Sequence, residues 1–291
     1  MKTLPALPRI LLEPVVRAAL AEDLGRAGDI TSDSVVPAAA TMRGVIAARE
    51  RGTIAGTEVA ALAFHLMDET IKLRIVTADG SRVAPGDGVL RIEGPARAIL
   101  SAERVALNLL CHLSGIATAT AGLVEAVGGH KARITCTRKT TPGLRFLEKH
   151  AVRAGGGANH RFGLDDAVLI KDNHIAVAGG IHPAVTRARA AVGHLVKVEV
   201  EVDTLEQLDE ALAAGADVVL LDNMPPETLR KAVALVDGRA ITEASGRITV
   251  ERVPEIAATG VDLISAGWIT HSAATLDLGL DVEDGAGGTW V

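Results

Sequence analysis

The chain has no tyrosine, three phenylalanines and two tryptophans, so aromatic residues make up 2% of its 291 positions. Proteins that bind nucleic acid rely on basic stripes and usually on stacking rings. A chain of net charge −6 with so few rings offers neither, which excludes a nucleic-acid surface. Only two cysteines occur, Cys111 and Cys136, in no spaced metal or redox motif. That excludes a disulfide framework and fits reduced thiols in the cytoplasm. No segment is read as reaching the roughly 18 apolar residues of a membrane helix. The first 25 residues, MKTLPALPRILLEPVVRAALAEDLG, also lack the apolar core and small-residue cleavage site of an export signal. The expectation is a cytoplasmic protein, neither exported nor membrane-embedded. Its 48% hydrophobic content is ample for a buried core in one large domain or two.

Positive charge is scarce overall but concentrated locally. From Lys131 to His174 there are nine Lys and Arg against four acids, a local charge of +5 within an acidic chain. The central run, TRKTTPGLRFLEKHAVRAGGGANHRFGLDDAVLIKDNHI over 137–175, interleaves these cations with glycines. Such a segment suits a small, highly anionic ligand. Lys149 and Arg153, at i, i+4 on an expected helix, are better explained as a solvated face. Arg138, Lys139 and Lys171 are not, because each follows an apolar β-type run and so sits where a strand ends.

The N-terminal part reads as a small α+β unit. Residues 8–24 carry an apolar face at helical spacing, and 25–33 form a polar link. Short strands are expected at 43–49, 71–77 and 89–92, with a helix over 58–67. A strong helix is expected over 101–113. On it Arg104, Asn108 and His112 form a polar stripe at i, i+4, i+8, facing either solvent or a site.

From Ile134 the pattern becomes alternating strand and helix, which means a parallel sheet. Strands are expected at 134–137, 167–170, 197–202, 217–221, 240–243 and 261–265, with helices at about 144–154, 182–192, 204–214, 226–236 and 249–258. The strand-end residues Glu201, Asp222 and Glu243 are evenly spaced, and Ser265 follows at nearly the same interval. Even spacing favours a closed or nearly closed barrel, in which chemistry collects at the C-terminal strand ends. Those ends carry Arg138 and Lys139, Lys171, Glu199 and Glu201, Asp222 and Asn223, Glu243 and Ser245, then Gly267. Cations from the first two strands would face acids from the next two, an arrangement suited to an anionic substrate that brings its own divalent metal. The short loops Ala244-Ser245-Gly246 and Ala266-Gly267-Trp268 occupy the place where barrels commonly bind phosphate through backbone N–H groups.

On these residues the chain resembles the quinolinate phosphoribosyltransferase family. The likeness extends over nearly the whole chain. It includes Ala21–Gly25 with Gly28–Thr31, Glu103–Asn108 with Leu113–Thr118, and the central run. It continues through Glu199–Val202, Leu220–Asn223, Glu243–Gly246 and Gly267 with Thr270-His271-Ser272. The fold implied is an N-terminal α/β sandwich, residues 1–113 joined by 270–291, plus an open seven-stranded α/β barrel over 114–269. The resemblance implies a homodimer or higher homo-oligomer, in which Arg104 reaches a site in the neighbouring subunit. It further implies that Arg104, Arg138, His160, Arg161 and Lys171 bind quinolinate. Lys139, Glu201, Asp222, Ser245, Gly246, Gly267 and His271 would surround phosphoribosyl pyrophosphate, with Glu201 and Asp222 near its Mg²⁺. Lys139, Lys171, Glu201 and Asp222 are the implied catalytic groups. Arg247 and Trp268 stand beside the phosphate loops where smaller residues are expected for the family.

The residue types suit that chemistry. Quinolinate has two adjacent carboxylates on a flat ring, which planar guanidiniums grip bidentately. As pyrophosphate leaves, the ribose C1 becomes cationic, and carboxylates can stabilise it while the pyridine nitrogen attacks. Loss of CO₂ from the ring follows because the quaternised nitrogen stabilises the carbanion. Competing readings are a paralogue of the same fold, such as a molybdenum-associated phosphoribosyltransferase-like protein or an enzyme taking nicotinate; a Schiff-base aldolase using Lys171 or Lys139; and a sensor of an anionic metabolite.

Overall fold

The computed structural model describes residues 4–283. In chain order the elements are α1 (Arg9–Leu24), α2 (Ile30–Val35), β1 (Thr41–Ala48), β2 (Gly52–Thr53), α3 (Thr57–Met67), β3 (Lys72–Ile75), β4 (Arg82–Val83), β5 (Gly88–Pro95), α4 (Ala96–Val127), β6 (Arg133–Thr135), α5 (Arg145–Ala154) and β7 (Val168–Ile170). Then follow α6 (Asp172–Ala178), α7 (Ile181–Ala191), β8 (Val198–Val202), α8 (Leu205–Ala213), β9 (Val218–Asp222), α9 (Pro226–Val236), β10 (Ile241–Ser245), α10 (Val253–Ala257), β11 (Leu263–Ser265), α11 (Trp268–His271) and β12 (Leu278–Val282). They form two compact units. Among the described residues the first holds 4–119, Pro142–Gly156 and 272–283; the second holds Thr120–Thr141 and Gly157–His271. Of the segment 270–291 assigned by resemblance to the first domain, 284–291 lies outside the described residues.

In the first unit an antiparallel sheet has the order β12-β1-β5-β3. The C-terminal strand β12 pairs with β1 from Gly44↔Val282 to Ala48↔Leu278. Residues 25–33, read as a link, contain the start of α2. Asp29 caps this helix, its side chain accepting from the Thr31 and Ser32 N–H groups at 3.1 and 2.9 Å. Helix α4 has 32 residues and runs through Ser114-Gly115, where the sequence suggested an end. The reason is a close approach: a Cβ on Gly115 would lie 2.9 Å from Thr275 Cα, so the glycine is there for space and not for a stop.

Helix α4 also corrects the expectation about membrane length. An 18-residue window in it has mean hydropathy 1.4, long and apolar enough to cross a bilayer, and 56% of that window is buried in the protein. Leu110, Leu113, Ile116 and Leu123 are all buried.

Helix α5, expected within the barrel segment 114–269, clusters with the first unit. Two pairs tie it there. Glu148 Oε1 is 2.9 Å from His112 Nε2, and His150 Nε2 is 2.8 Å from Asp79 Oδ2. Asp79 also accepts from Gly56 N, Thr57 N and Thr57 Oγ1 at the start of α3. Burial pushes the Asp79 carboxyl up, but these donors more than offset it, and its pKa lies below the ordinary value. Lys149 contradicts the solvated reading: it is 1% exposed, whereas Arg153 is exposed.

The second unit is built on a parallel sheet of order β6-β11-β10-β9-β8-β7. These are the six strands expected from the sequence. A seventh position is the single-residue parallel bridge Thr135↔Ala158, fastened by Ala158 N→Ile134 O and Cys136 N→Ala158 O. The six strands and this bridge make an open α/β barrel. Strand β8 shows how sequence sets its two faces: in VEVEV the three valines are buried, and period-2 alternation sends Glu199 and Glu201 together to the opposite face. Through β9 and β10 the register aligns Glu201, Leu220 and Glu243.

Candidate active site

The strand ends of the second unit gather most of the expected residues. At β7 and β8, Lys171 Nζ lies 2.7 Å from Glu201 Oε2, the facing of cation and acid that the strand order suggested. Lys171 is half exposed and Glu201 mostly covered. Lys171 immediately precedes α6, and its N–H donates to His174 Nδ1 at 3.0 Å, which fixes the turn from strand to helix.

At β9 and β10, Asn223 Nδ2 donates to Asp222 Oδ2 at 2.6 Å, and Asn223 N donates to Ser245 O at 2.9 Å. Asn223 takes φ 52° and Gly246 φ 96°. A Cβ on Gly246 would overlap the Asn223 side chain and lie 3.0 Å from its backbone nitrogen. Asp222, Ser245 and Gly246 are thus one corner, with glycine required by both angle and space.

At β6 and β11, Lys139 N donates to Thr137 Oγ1 at 3.0 Å, and Thr270 Oγ1 donates to Lys139 O at 2.7 Å. A Cβ on Gly267 would be 2.9 Å from Lys139 Cδ, 3.3 Å from Thr137 Oγ1 and 3.7 Å from His271 Nε2. Lys139, Gly267 and His271 therefore share one place, with Lys139 and His271 exposed. The two larger residues find simple uses: Trp268 Nε1 donates to Ile248 O at 2.9 Å, bracing one loop on the other, and Arg247 is exposed at φ 49°.

Arg138 and Arg161 form the cationic part. Arg161 Nη1 donates to Ala167 O at 3.0 Å. The Nε of each arginine is buried without a hydrogen-bond partner. Burial, then the neighbouring Arg138 guanidinium, hold the Arg161 pKa below its usual value, while Glu199 and Asp166 pull it up. Two like charges side by side with unmet buried donors describe a receptor for an anion bearing more than one carboxylate or phosphate oxygen.

Beneath them sit two groups that the sequence reading left without a role. Glu199 and Glu243 are buried, and His160 Nε2 is 2.9 Å from Glu199 Oε2 and 3.8 Å from Glu243 Oε1. Burial and the Glu199 charge push the Glu243 carboxyl up to about 7, partly offset by His160 and Ser265. The VEVEV alternation was the available signal for Glu199. Among the described residues, three potential ligand atoms of His160, Glu199 and Glu243 lie within 4.8 Å of one another. The Arg161 N–H already occupies His160 Nδ1, and the Glu199 charge acts on Arg161, which makes this cluster a counter-charge to the arginines. Arg104 belongs to the first unit, exposed on α4 beside Asn108.

Comparison with known proteins gives the family. The profile described as "Quinolinate phosphoribosyl transferase, N-terminal domain" matches residues 29–114, and that described as "Quinolinate phosphoribosyl transferase, C-terminal domain" matches 116–281. The probable nicotinate-nucleotide pyrophosphorylase (carboxylating) of Bacillus subtilis strain 168 is 49% identical over 261 residues, covering 90% of each chain. The corresponding protein of Mycobacterium leprae is 47% identical, covering 92% of this chain and 95% of that one. The crystal structure of NadC from Streptococcus pyogenes matches with a TM-score of 0.92 at 41% identity, covering 97% of this chain and 100% of that chain. The chain belongs to the quinolinate phosphoribosyltransferase family, the carboxylating nicotinate-nucleotide pyrophosphorylases.

Proposed function

We propose that Arg138, Arg161 and Lys171 hold the two carboxylates of quinolinate, and that the Lys139, Asp222, Ser245–Gly246 and Gly267–His271 corners hold phosphoribosyl pyrophosphate. The enzyme transfers the phosphoribosyl group to quinolinate, giving nicotinate mononucleotide, pyrophosphate and CO₂ in NAD biosynthesis. The observation that carries the substrate assignment is the pairing of Arg138 and Arg161, each with a buried Nε lacking a partner. A substrate with one carboxylate would leave part of this charge unmet.

In the reaction, the pyridine nitrogen attacks the ribose C1 as pyrophosphate leaves. Lys139 steadies the departing negative charge, and Glu201 and Asp222 stabilise the positive charge at C1. The ring then loses its 2-carboxylate as CO₂, and the electron pair left on carbon, held by the adjacent quaternary nitrogen, takes up a proton. Catalysis is mainly positioning and electrostatics. Glu201 and Asp222 fit Mg²⁺ carried by phosphoribosyl pyrophosphate, since that ion uses one or two carboxylates and fills the rest of its shell with phosphate oxygens and water. One oxygen of each is engaged, by Lys171 and Asn223. When bound, the ion would neutralise charge on the pyrophosphate.

The working assembly in this reading is a homodimer or larger, with the exposed Arg104 supplied to the neighbouring subunit's site, and the compartment is the cytoplasm, consistent with two cysteines, Cys111 and Cys136, that form no disulfide. The test is to incubate the protein with Mg²⁺, phosphoribosyl pyrophosphate and either quinolinate or nicotinate, and to identify products by mass spectrometry. Nicotinate mononucleotide and CO₂ from quinolinate alone support the reading. Product from nicotinate alone overturns the two-carboxylate assignment.

A further inference from the structure

His160 stands in the sequence as a residue that touches substrate, yet both of its ring nitrogens are used inside the protein. The backbone N–H of Arg161 donates to Nδ1 at 2.8 Å. A nitrogen that accepts cannot carry the ring proton, so the proton is on Nε2 and is donated to Glu199 Oε2 at 2.9 Å. Glu199 is 6% exposed and comes from β8; Glu243, 1% exposed, comes from β10 and meets the same ring nitrogen at 3.8 Å. Ser265 on β11 completes the surroundings of Glu243, and the charged groups on the other side are Arg161 and Arg138.

We propose that His160, Glu199 and Glu243 are positioning residues that act through Arg161. The buried carboxylates fix the imidazole, the imidazole fixes the Arg161 backbone, and the Arg161 guanidinium is thereby held against Arg138 in a geometry that suits two carboxylates. A flexible, repelling pair of guanidiniums would otherwise separate; a carboxylate-anchored ring beneath one of them opposes that. Orientation of a binding group by a buried carboxylate–histidine pair is the arrangement by which metal and catalytic histidines are oriented elsewhere, here turned toward a backbone N–H. The proposal rests on the reading that Arg138 and Arg161 bind quinolinate.

The experiment compares Glu199→Leu, Glu199→Gln and Arg161→Lys in the full chain, measuring KM for each substrate, kcat, and quinolinate binding by calorimetry. Glu199→Leu removes the acceptor for Nε2–H, and KM for quinolinate rises about tenfold or more while kcat and KM for phosphoribosyl pyrophosphate stay within about threefold. Glu199→Gln keeps an acceptor oxygen and restores quinolinate KM to within about threefold of wild type. An unchanged quinolinate KM in Glu199→Leu overturns the proposal, as does a Glu199→Gln variant as impaired as Glu199→Leu. Should Glu199→Leu fail to fold, ¹⁵N-histidine spectra of the wild type decide, with His160 assigned by loss of its signal in His160→Asn. The Nε2–H tautomer supports the relay, and the Nδ1–H tautomer overturns it. Arg161→Lys tests the reading beneath: unchanged quinolinate binding there removes the substrate assignment itself, whereas weakened binding with a silent Glu199→Leu removes only the relay.

Discussion

Gly267 faces Lys139 so closely that a methyl group in place of its hydrogen would sit 2.9 Å from the lysine Cδ. The neighbour is the middle of a flexible, exposed side chain, so Gly267→Ala is accommodated by moving the lysine and not by unfolding. The expected result is a stability change below about 1 kcal/mol, as for surface substitutions. The kcat/KM for phosphoribosyl pyrophosphate falls between about tenfold and a hundredfold, the cost of a misplaced charged group. Denaturant titration and steady-state kinetics on the same preparation check both halves. Wild-type kinetics would remove Lys139 from the phosphate corner.

Lys171 and Glu201 form a 2.7 Å ion pair with the lysine side chain half exposed. Such a pair contributes little to folding, of order 0 to 1 kcal/mol. Lys171→Met should therefore unfold at nearly the wild-type denaturant midpoint and yet lose at least about a hundredfold in turnover of quinolinate. A large loss of stability with normal turnover would make the pair structural instead.

Arg104 lies in one compact unit and the strand-end cluster in the other. If Arg104 is donated across subunits, Arg104→Ala and Lys139→Ala damage different halves of each composite site. Each variant alone is inactive. Denatured together and refolded as a random mixture, they should regain about a quarter of wild-type activity, because half the dimers are hybrids with one intact site of two. No recovery, with dimers shown to exchange, would place Arg104 in its own subunit's site, and an active Arg104→Ala variant would place it outside the site.

What the sequence revealed follows from repetition, and what it hid follows from contacts between distant segments. A βα unit that recurs at nearly constant length made the barrel legible, but equal spacing is not equal register: Glu201 and Glu243 stand level with Leu220, and Asp222 lies two residues further on, level with Ser245. Strand order alone led to cations of the first two strands facing acids of the next two, and the pair Lys171–Glu201 is one such contact. Lys149 was not legible: its helical spacing with Arg153 describes α5 in isolation and says nothing of what covers it, and it is buried. The seventh barrel position is one residue, Ala158, in a glycine-rich stretch without strand pattern. The resemblance puts His160 among the quinolinate-binding residues; its bond to Glu199 joins segments far apart in sequence, which no local pattern shows, while its other bond is to the N–H of the next residue, Arg161.

Gly246 combines φ 96° with a Cβ position that overlaps the Asn223 side chain and approaches its backbone nitrogen to 3.0 Å. Moving Asn223 would break its bonds to Asp222 and to the Ser245 carbonyl. Gly246→Ala pays for both the left-handed backbone and the clash, and should destabilise the protein by about 2 to 4 kcal/mol. It should also weaken binding of phosphoribosyl pyrophosphate more than that of quinolinate. Equal losses for the two substrates would show that the corner supports the fold generally and not the phosphate site.

Glu243 makes stability depend on pH in a defined direction. Burial and the Glu199 charge raise its pKa to about 7 in the folded protein, against an ordinary value of 4.5. The folded state therefore holds a proton that the unfolded chain has released over this interval, and stability falls as pH rises through it, levelling off above about 7. The full effect is on the order of 3 kcal/mol, taking roughly 1.4 kcal/mol per unit. Asp79, Asp217 and Asp262, whose values are lowered below 3.8, act with the opposite sign, stabilising above that value and losing their contribution only at more acidic pH, outside this window. Glu243→Gln keeps the size and a hydrogen-bonding oxygen but cannot ionise. Its denaturation free energy, measured at intervals from pH 4.5 to 8, should lose the downward slope of the wild type. Parallel curves for the two proteins would mean that Glu243 is ionised throughout and that the buried carboxylates beneath His160 carry two charges at neutral pH.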